Sequence, residues 1–104
     1  MATDKEYLHF IMEMLPEGAS YRAMMGEYVV YYNGKVIGGI YDNRFLVKIT
    51  PSSENLCGGF AREIPYEVAK SMILVENAED RDFLQKLLTA MFDELPYPKR
   101  RNKK

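Results

Sequence analysis

Between Ser20 and Thr50 the chain alternates apolar and polar positions, and two pairs of turn formers, Asn33-Gly34 and Asp42-Asn43, interrupt the alternation. Successive side chains of a strand point to opposite faces, so the pattern predicts consecutive antiparallel strands. Asn-Gly suits a type I′ turn, which needs positive φ at both residues; Asp-Asn offers the same chemistry without a glycine. Two-residue turns set the register. Tyr32 is expected opposite Lys35, Tyr31 opposite Val36, Val29 opposite Gly38, Ile40 opposite Phe45 and Gly38 opposite Val47. One face then collects Val29, Tyr31, Val36, Gly38, Ile40, Phe45, Val47 and Ile49, carries no charge, and is expected to face the core. The other collects Tyr28, Val30, Tyr32, Lys35, Ile37, Gly39, Tyr41, Arg44, Leu46 and Lys48. A bulge at Gly38-Gly39 would shift this register.

Helical periodicity flanks the meander. From Thr3 to Leu15, residues Leu8, Ile11, Met12 and Leu15 share a face opposite Lys5, His9 and Glu13, and Thr3 and Glu6 have capping-box spacing. Pro16 and Gly18 end this helix, and a strand over about Ser20–Met25 follows. Phe83, Leu84, Leu87, Leu88, Met91, Phe92 and Leu95 form the stripe of a second helix, with Asn77 as its expected N-cap and acidic residues in its first turn. Between them the pattern is weaker. Pro51-Ser52-Ser53 can open a short helix that Gly58-Gly59 would close. Ala61–Tyr66 is an edge strand or coil because of Pro65, Tyr66–Ser71 suits a helical turn, and Met72–Glu76 suits a buried strand. Both long helices need a partner for their stripes. The expected fold is therefore an α+β, two-layer sandwich: an antiparallel sheet with helices on one face. The opposite face, bearing Tyr28, Tyr32 and Tyr41, is left uncovered.

Composition sharpens this. With 104 residues, 47% of them hydrophobic, the chain suits one domain over residues 1–96. No run reaches about 18 apolar residues, so no membrane span is expected. A single cysteine excludes an internal disulfide, and the absence of a signal-peptide pattern points to the cytoplasm. Lys99–Lys104 holds five of the 14 basic residues, leaving nine against 15 acidic ones in the body. Residues 97–104 are expected to form a disordered basic tail, giving at most weak, salt-sensitive contact with nucleic acid.

Candidate chemistry is sparse. The sole histidine, His9, sits on the wet stripe of the first helix, and Cys57 has no neighbouring cation to activate it. No metal-ligand spacing and no phosphate-binding glycine loop occur, so neither enzyme activity nor a cofactor is expected. What stands out is the tyrosine-bearing face, where Tyr28, Tyr32 and Tyr41 with Val30, Ile37 and Leu46 would form an apolar patch large for a monomer. It suggests a protein partner or a homodimer.

Arg22, Met24, Met25 and Gly26, followed by Tyr31, Gly34, Ile37 and Leu46-Val47-Lys48, resemble the N-terminal domain of the TfoX/Sxy family. Pro65-Tyr66, Ala69-Lys70 and Met72–Glu76 are similar to short, stand-alone members, so that the likeness covers residues 3–95. It implies the same α+β sandwich and a non-catalytic, regulatory role; the best-known members co-regulate competence genes. The chain stops where a second, C-terminal TfoX domain would begin, so the fold and an interaction-based role are what transfer. Arg22 and Lys48 match the family pattern, although Arg22 could equally brace the loop at Gly26. A second reading is a small-ligand or nucleotide-binding domain using Arg22, Arg44, Lys48 and nearby tyrosines.

Overall fold

The computed structural model describes residues 3–66 and 69–97. Along the chain run α1 (Lys5–Met14), β1 (Ala19–Met24), β2 (Glu27–Tyr32), β3 (Lys35–Ile40), β4 (Phe45–Val47), α2 (Pro51–Leu56), β5 (Arg62–Glu63), β6 (Met72–Leu74) and α3 (Arg81–Phe92). The strands form one antiparallel sheet in the order β1-β2-β3-β4-β6-β5. Leu8 and Ile11 of α1, Cys57 after α2, and Leu84, Leu87, Leu88 and Met91 of α3 share one core with Val30, Ile40, Phe45, Val47 and Ile73 of the sheet. This is the expected α+β sandwich, with its helices on one face.

Both expected turns form. Asn33 and Gly34 have φ of 48° and 90°, and Asp42 and Asn43 have 54° and 59°. Around them the pairs Tyr32–Lys35, Tyr31–Val36, Ile40–Phe45 and Gly38–Val47 match the sequence-based register. Farther along β2 the register differs. Val30, not Val29, lies opposite Gly38, because Ile37 is an extra residue in β3 and the ladder bulges there. A one-residue slip exchanges the faces of everything beyond it. Val30 and Ile37 are consequently fully buried in the core, while Val29 and Tyr31 lie on the side without helices.

The premise that the core face carries no charge also fails, at Lys35. This residue lies on the helix side, where its Nζ donates to the Phe92 carbonyl at 2.8 Å. The same ammonium stands 3.9 Å from the centre of the Phe92 ring and 4.9 Å from that of Tyr97. A lysine stem can run along apolar surface while its charge meets the negative end of a helix, here the end of α3.

Helix starts differ from expectation in two places. Asp4, not Thr3, occupies the N-cap of α1. The Thr3 hydroxyl is buried and donates to Glu27 Oε1 at 2.6 Å, and it accepts from the Asn43 amide at 3.2 Å. Asn43 Oδ1 in turn accepts from the Asp4 amide at 2.9 Å, so α1 is pinned to the β3–β4 turn by long-range bonds in place of a local box. At α3 the cap is Asp80, whose carboxylate accepts from the Phe83 amide at 3.0 Å; the side-chain oxygen of Asn77 is instead buried without a partner. The short helix α2 opens on Thr50, which exchanges a reciprocal capping box with Ser53. The helical turn expected over Tyr66–Ser71 lies partly outside the described residues; among those described there is no helix, and the Ala69 amide donates to the Tyr66 carbonyl. The basic tail expected at Lys99–Lys104 lies outside the described residues.

Candidate binding groove

On the helix-free side of the sheet, the segment after β5 folds back across β3 and β4. Arg44 holds it there. Its Nη1 pairs with Glu63 Oε1 at 2.6 Å, its Nη2 reaches the Pro65 carbonyl at 3.4 Å, and its Nε donates to the Tyr41 carbonyl at 3.0 Å. Arg44 had been expected to offer its charge to a ligand or partner; its guanidinium is spent on this brace. A planar fork of donors suits such a multi-point hold.

The brace brings Tyr41 and Tyr66 together, with ring centres 5.8 Å apart. The Tyr41 ring lies over Gly39, where any side chain would collide with it. Burial pushes the Tyr41 hydroxyl above the usual phenol range, and the neighbouring Tyr66 and Glu27 push in the same direction. Beneath the rings Leu46 is fully buried although it faces away from the helices. Between the folded-back segment and the sheet a groove of about 710 Å³ remains. Val36, Gly38, Ile49 and Met72 give it apolar surface; Lys48, Lys70 and Ser71 give it polar groups; Tyr41, Pro65, Tyr66 and Ala69 complete its lining. The arrangement can bind: two lysines share the lining with apolar and aromatic residues.

The six residues singled out from the sequence do not converge. Tyr28 and Tyr32 lie on the helix side and pack against the core, Tyr28 edge-on to Tyr21 at 5.6 Å and Tyr32 edge-on to Phe92 at 6.1 Å. The expected patch of three tyrosines on one open face is therefore not formed, and of the three Tyr41 alone is on the helix-free side. The Ile37 bulge is the reason. Lys48 lines the groove. Arg22 is exposed and lines a separate, shallower depression with Ser20, Tyr21, Tyr31 and Gly34, with β2 and β3 between its strand and β4. Sequence reasoning missed Tyr66, Lys70 and Ser71, which sit where periodicity was weakest; Pro65 was the one local signal that the chain leaves the sheet there.

His9 is exposed, on the wet stripe as expected. Cys57 is 2% exposed, and burial pushes its thiol up to about 11, so it is protonated at neutral pH. Among the described residues no group of three or more His, Cys, Asp or Glu side chains is placed to hold a metal ion, and no helix is long and apolar enough to cross a membrane.

No family model matches the chain, and no solved structure matches it. It is similar to a Spirochaeta aurantia protein described as an uncharacterized 12.7 kDa protein in the trpE 5′ region. The two are 33% identical over 107 residues, which span 100% of this chain and 93% of that protein. Identity at that level over the whole chain places the protein in one family with the Spirochaeta aurantia protein, and to that family it belongs.

Proposed function

We propose that the protein is a non-catalytic regulatory or adaptor protein of the cytoplasm that acts through contacts made by the helix-free side of its sheet. One observation carries this reading. All three helices are committed to one face, while the other face presents a groove with two lysines and two tyrosines at its surface. Exposed apolar side chains add to it: Tyr66 beside the groove, and Met24, which the β1–β2 register puts on the same face as Val29. Solvent-facing methionines of this kind suit adaptable protein contacts. The motifs shared with the TfoX/Sxy N-terminal domain support a role in gene regulation through a protein partner or a second copy. Nucleic acid enters, in this reading, only through weak contact with the Lys99–Lys104 tail.

The test compares faces. Tyr66→Asp with Met24→Asp alters the helix-free side, and Lys86→Glu alters an exposed position of α3. Self-association by sedimentation and cross-linked partners in the native host are measured for each. Loss in the sheet-side double variant with retention in Lys86→Glu is the expected result. The reverse pattern, or no change in either, refutes the reading.

A further inference from the structure

We propose that the groove between the sheet and the segment after β5 is a binding site for a small organic anion, a carboxylate or phosphate monoester carried on a flat apolar body. The inference rests on the helix-free face being the working surface and adds the chemistry of what that surface takes.

Charge is the first argument. The body of the chain is acidic, yet two lysines, Lys48 and Lys70, line the groove. The ion pairs of the described residues use Arg44 with Glu63 and Arg62 with Glu54, so neither groove lysine is in one. Arg44 and Arg62 are spent on these pairs, whereas Lys48 and Lys70 line the groove. An ammonium is a point donor that suits an anionic head group without demanding a planar one.

Shape is the second. A volume of about 710 Å³ lies inside the roughly 300–1,000 Å³ range of small-molecule sites. The tilted rings of Tyr41 and Tyr66, 5.8 Å apart, with Ile49 and Met72 in the same lining, offer apolar surface to a flat body. Preorganisation is the third. Arg44 fixes the start of the wall, at Glu63 and Pro65, without help from any ligand, which lowers the ordering cost of binding there.

The test titrates the full chain with phenyl phosphate, phenylacetate, inorganic phosphate and 2-phenylethanol, followed through backbone amide shifts in NMR spectra. At least one phenyl-bearing anion should saturate, bind about tenfold or more tighter than the alcohol or inorganic phosphate, and shift the amides of Lys48, Ile49, Lys70 and Met72. The tighter of the two anions identifies the head group. Lys48→Gln should weaken it about tenfold, and Lys48→Gln with Lys70→Gln should reduce it to the level of the alcohol, both without moving the melting temperature. Equal binding of the alcohol or of inorganic phosphate overturns the proposal, as do shifts centred at Arg22, wild-type affinity in the double lysine variant, or no saturable binding by either anion. If the anions fail while the sheet-side variants still lose their partner, the site falls and the contact reading stands. If the anions bind while partner capture ignores that face, the contact reading falls and the site stands.

Discussion

A methyl group added at Gly38 should be enough to unseat the centre of the sheet. A Cβ there would overlap the Leu46 carbonyl oxygen and stand 2.7 Å from the Val47 Cα. Carbon atoms rest about 3.5–4.0 Å apart, so the backbones of β3 and β4 would have to part by about 1 Å. The strand β4 has three residues, all paired with β3, and cannot spread that displacement along its length. Overpacking costs about 1–3 kcal/mol, and a buried ladder hydrogen bond left unmade adds about 1–3 kcal/mol. A loss of about 2–6 kcal/mol for Gly38→Ala follows from the two together, a large share of the roughly 5–15 kcal/mol that holds a domain together. At roughly 4–8 °C per kcal/mol for a domain of this size, the melting temperature should fall by at least about 8 °C. Urea unfolding followed by circular dichroism measures it, with Gly59→Ala as the companion, since an added Cβ there meets nothing within 4 Å. The companion should match the wild type or gain up to about 1 kcal/mol through its stiffer unfolded chain. A Gly38→Ala protein within about 1 kcal/mol of wild type and with an unchanged denaturant slope would refute the β3–β4 register and the bulge that precedes it.

Lys35→Ala removes the hydrogen bond to the Phe92 carbonyl and the ring contacts at the end of α3. It should cost about 1–3 kcal/mol in urea unfolding, and Lys35→Met, which keeps the apolar stem but not the charge, should cost less; a Lys35→Met protein as stable as wild type would mean that the charge contributes nothing. Cys57 should resist a thiol reagent at pH 8, since with the thiol pushed up to about 11 only about one molecule in a thousand is thiolate, and it should react promptly once urea unfolds the chain. Fast labelling of the folded protein would show that the site is open. Glu94 accepts from the Ser52 hydroxyl at 2.6 Å and the Ser52 amide at 3.0 Å, and these bonds hold its carboxyl below the usual range. A depressed folded value means stability that is present above the unfolded pKa and lost as pH falls through the folded one. The stability gap between wild type and Glu94→Gln, measured by urea unfolding, should therefore be widest near neutral pH and close below the ordinary carboxylate range; a gap that persists in acid would refute the linkage.

Local chemistry wrote much of this molecule into its sequence. Asn33-Gly34 and Asp42-Asn43 reach positive φ more readily than most residues, so the turns and the pairs beside them could be read from neighbours alone. The stripes of α1 and α3, and therefore a two-layer α+β sandwich with helices on one face, followed from periodicity in the same way. What required the assembled chain was every choice between two locally acceptable options. An extra residue at Ile37 satisfies the backbone as well as a regular ladder does, and burial of Val30 in place of Val29 is decided by packing beneath the helices. Lys35 reads as a solvent residue until the end of α3 lies beside it. Thr3 reads as a local cap until Glu27 and the β3–β4 turn claim its hydroxyl. The groove belongs to this second class: Lys48 and Lys70 are 22 positions apart in the chain, and what unites them is the Arg44 brace, a contact between segments whose separation no period of two or 3.6 can encode.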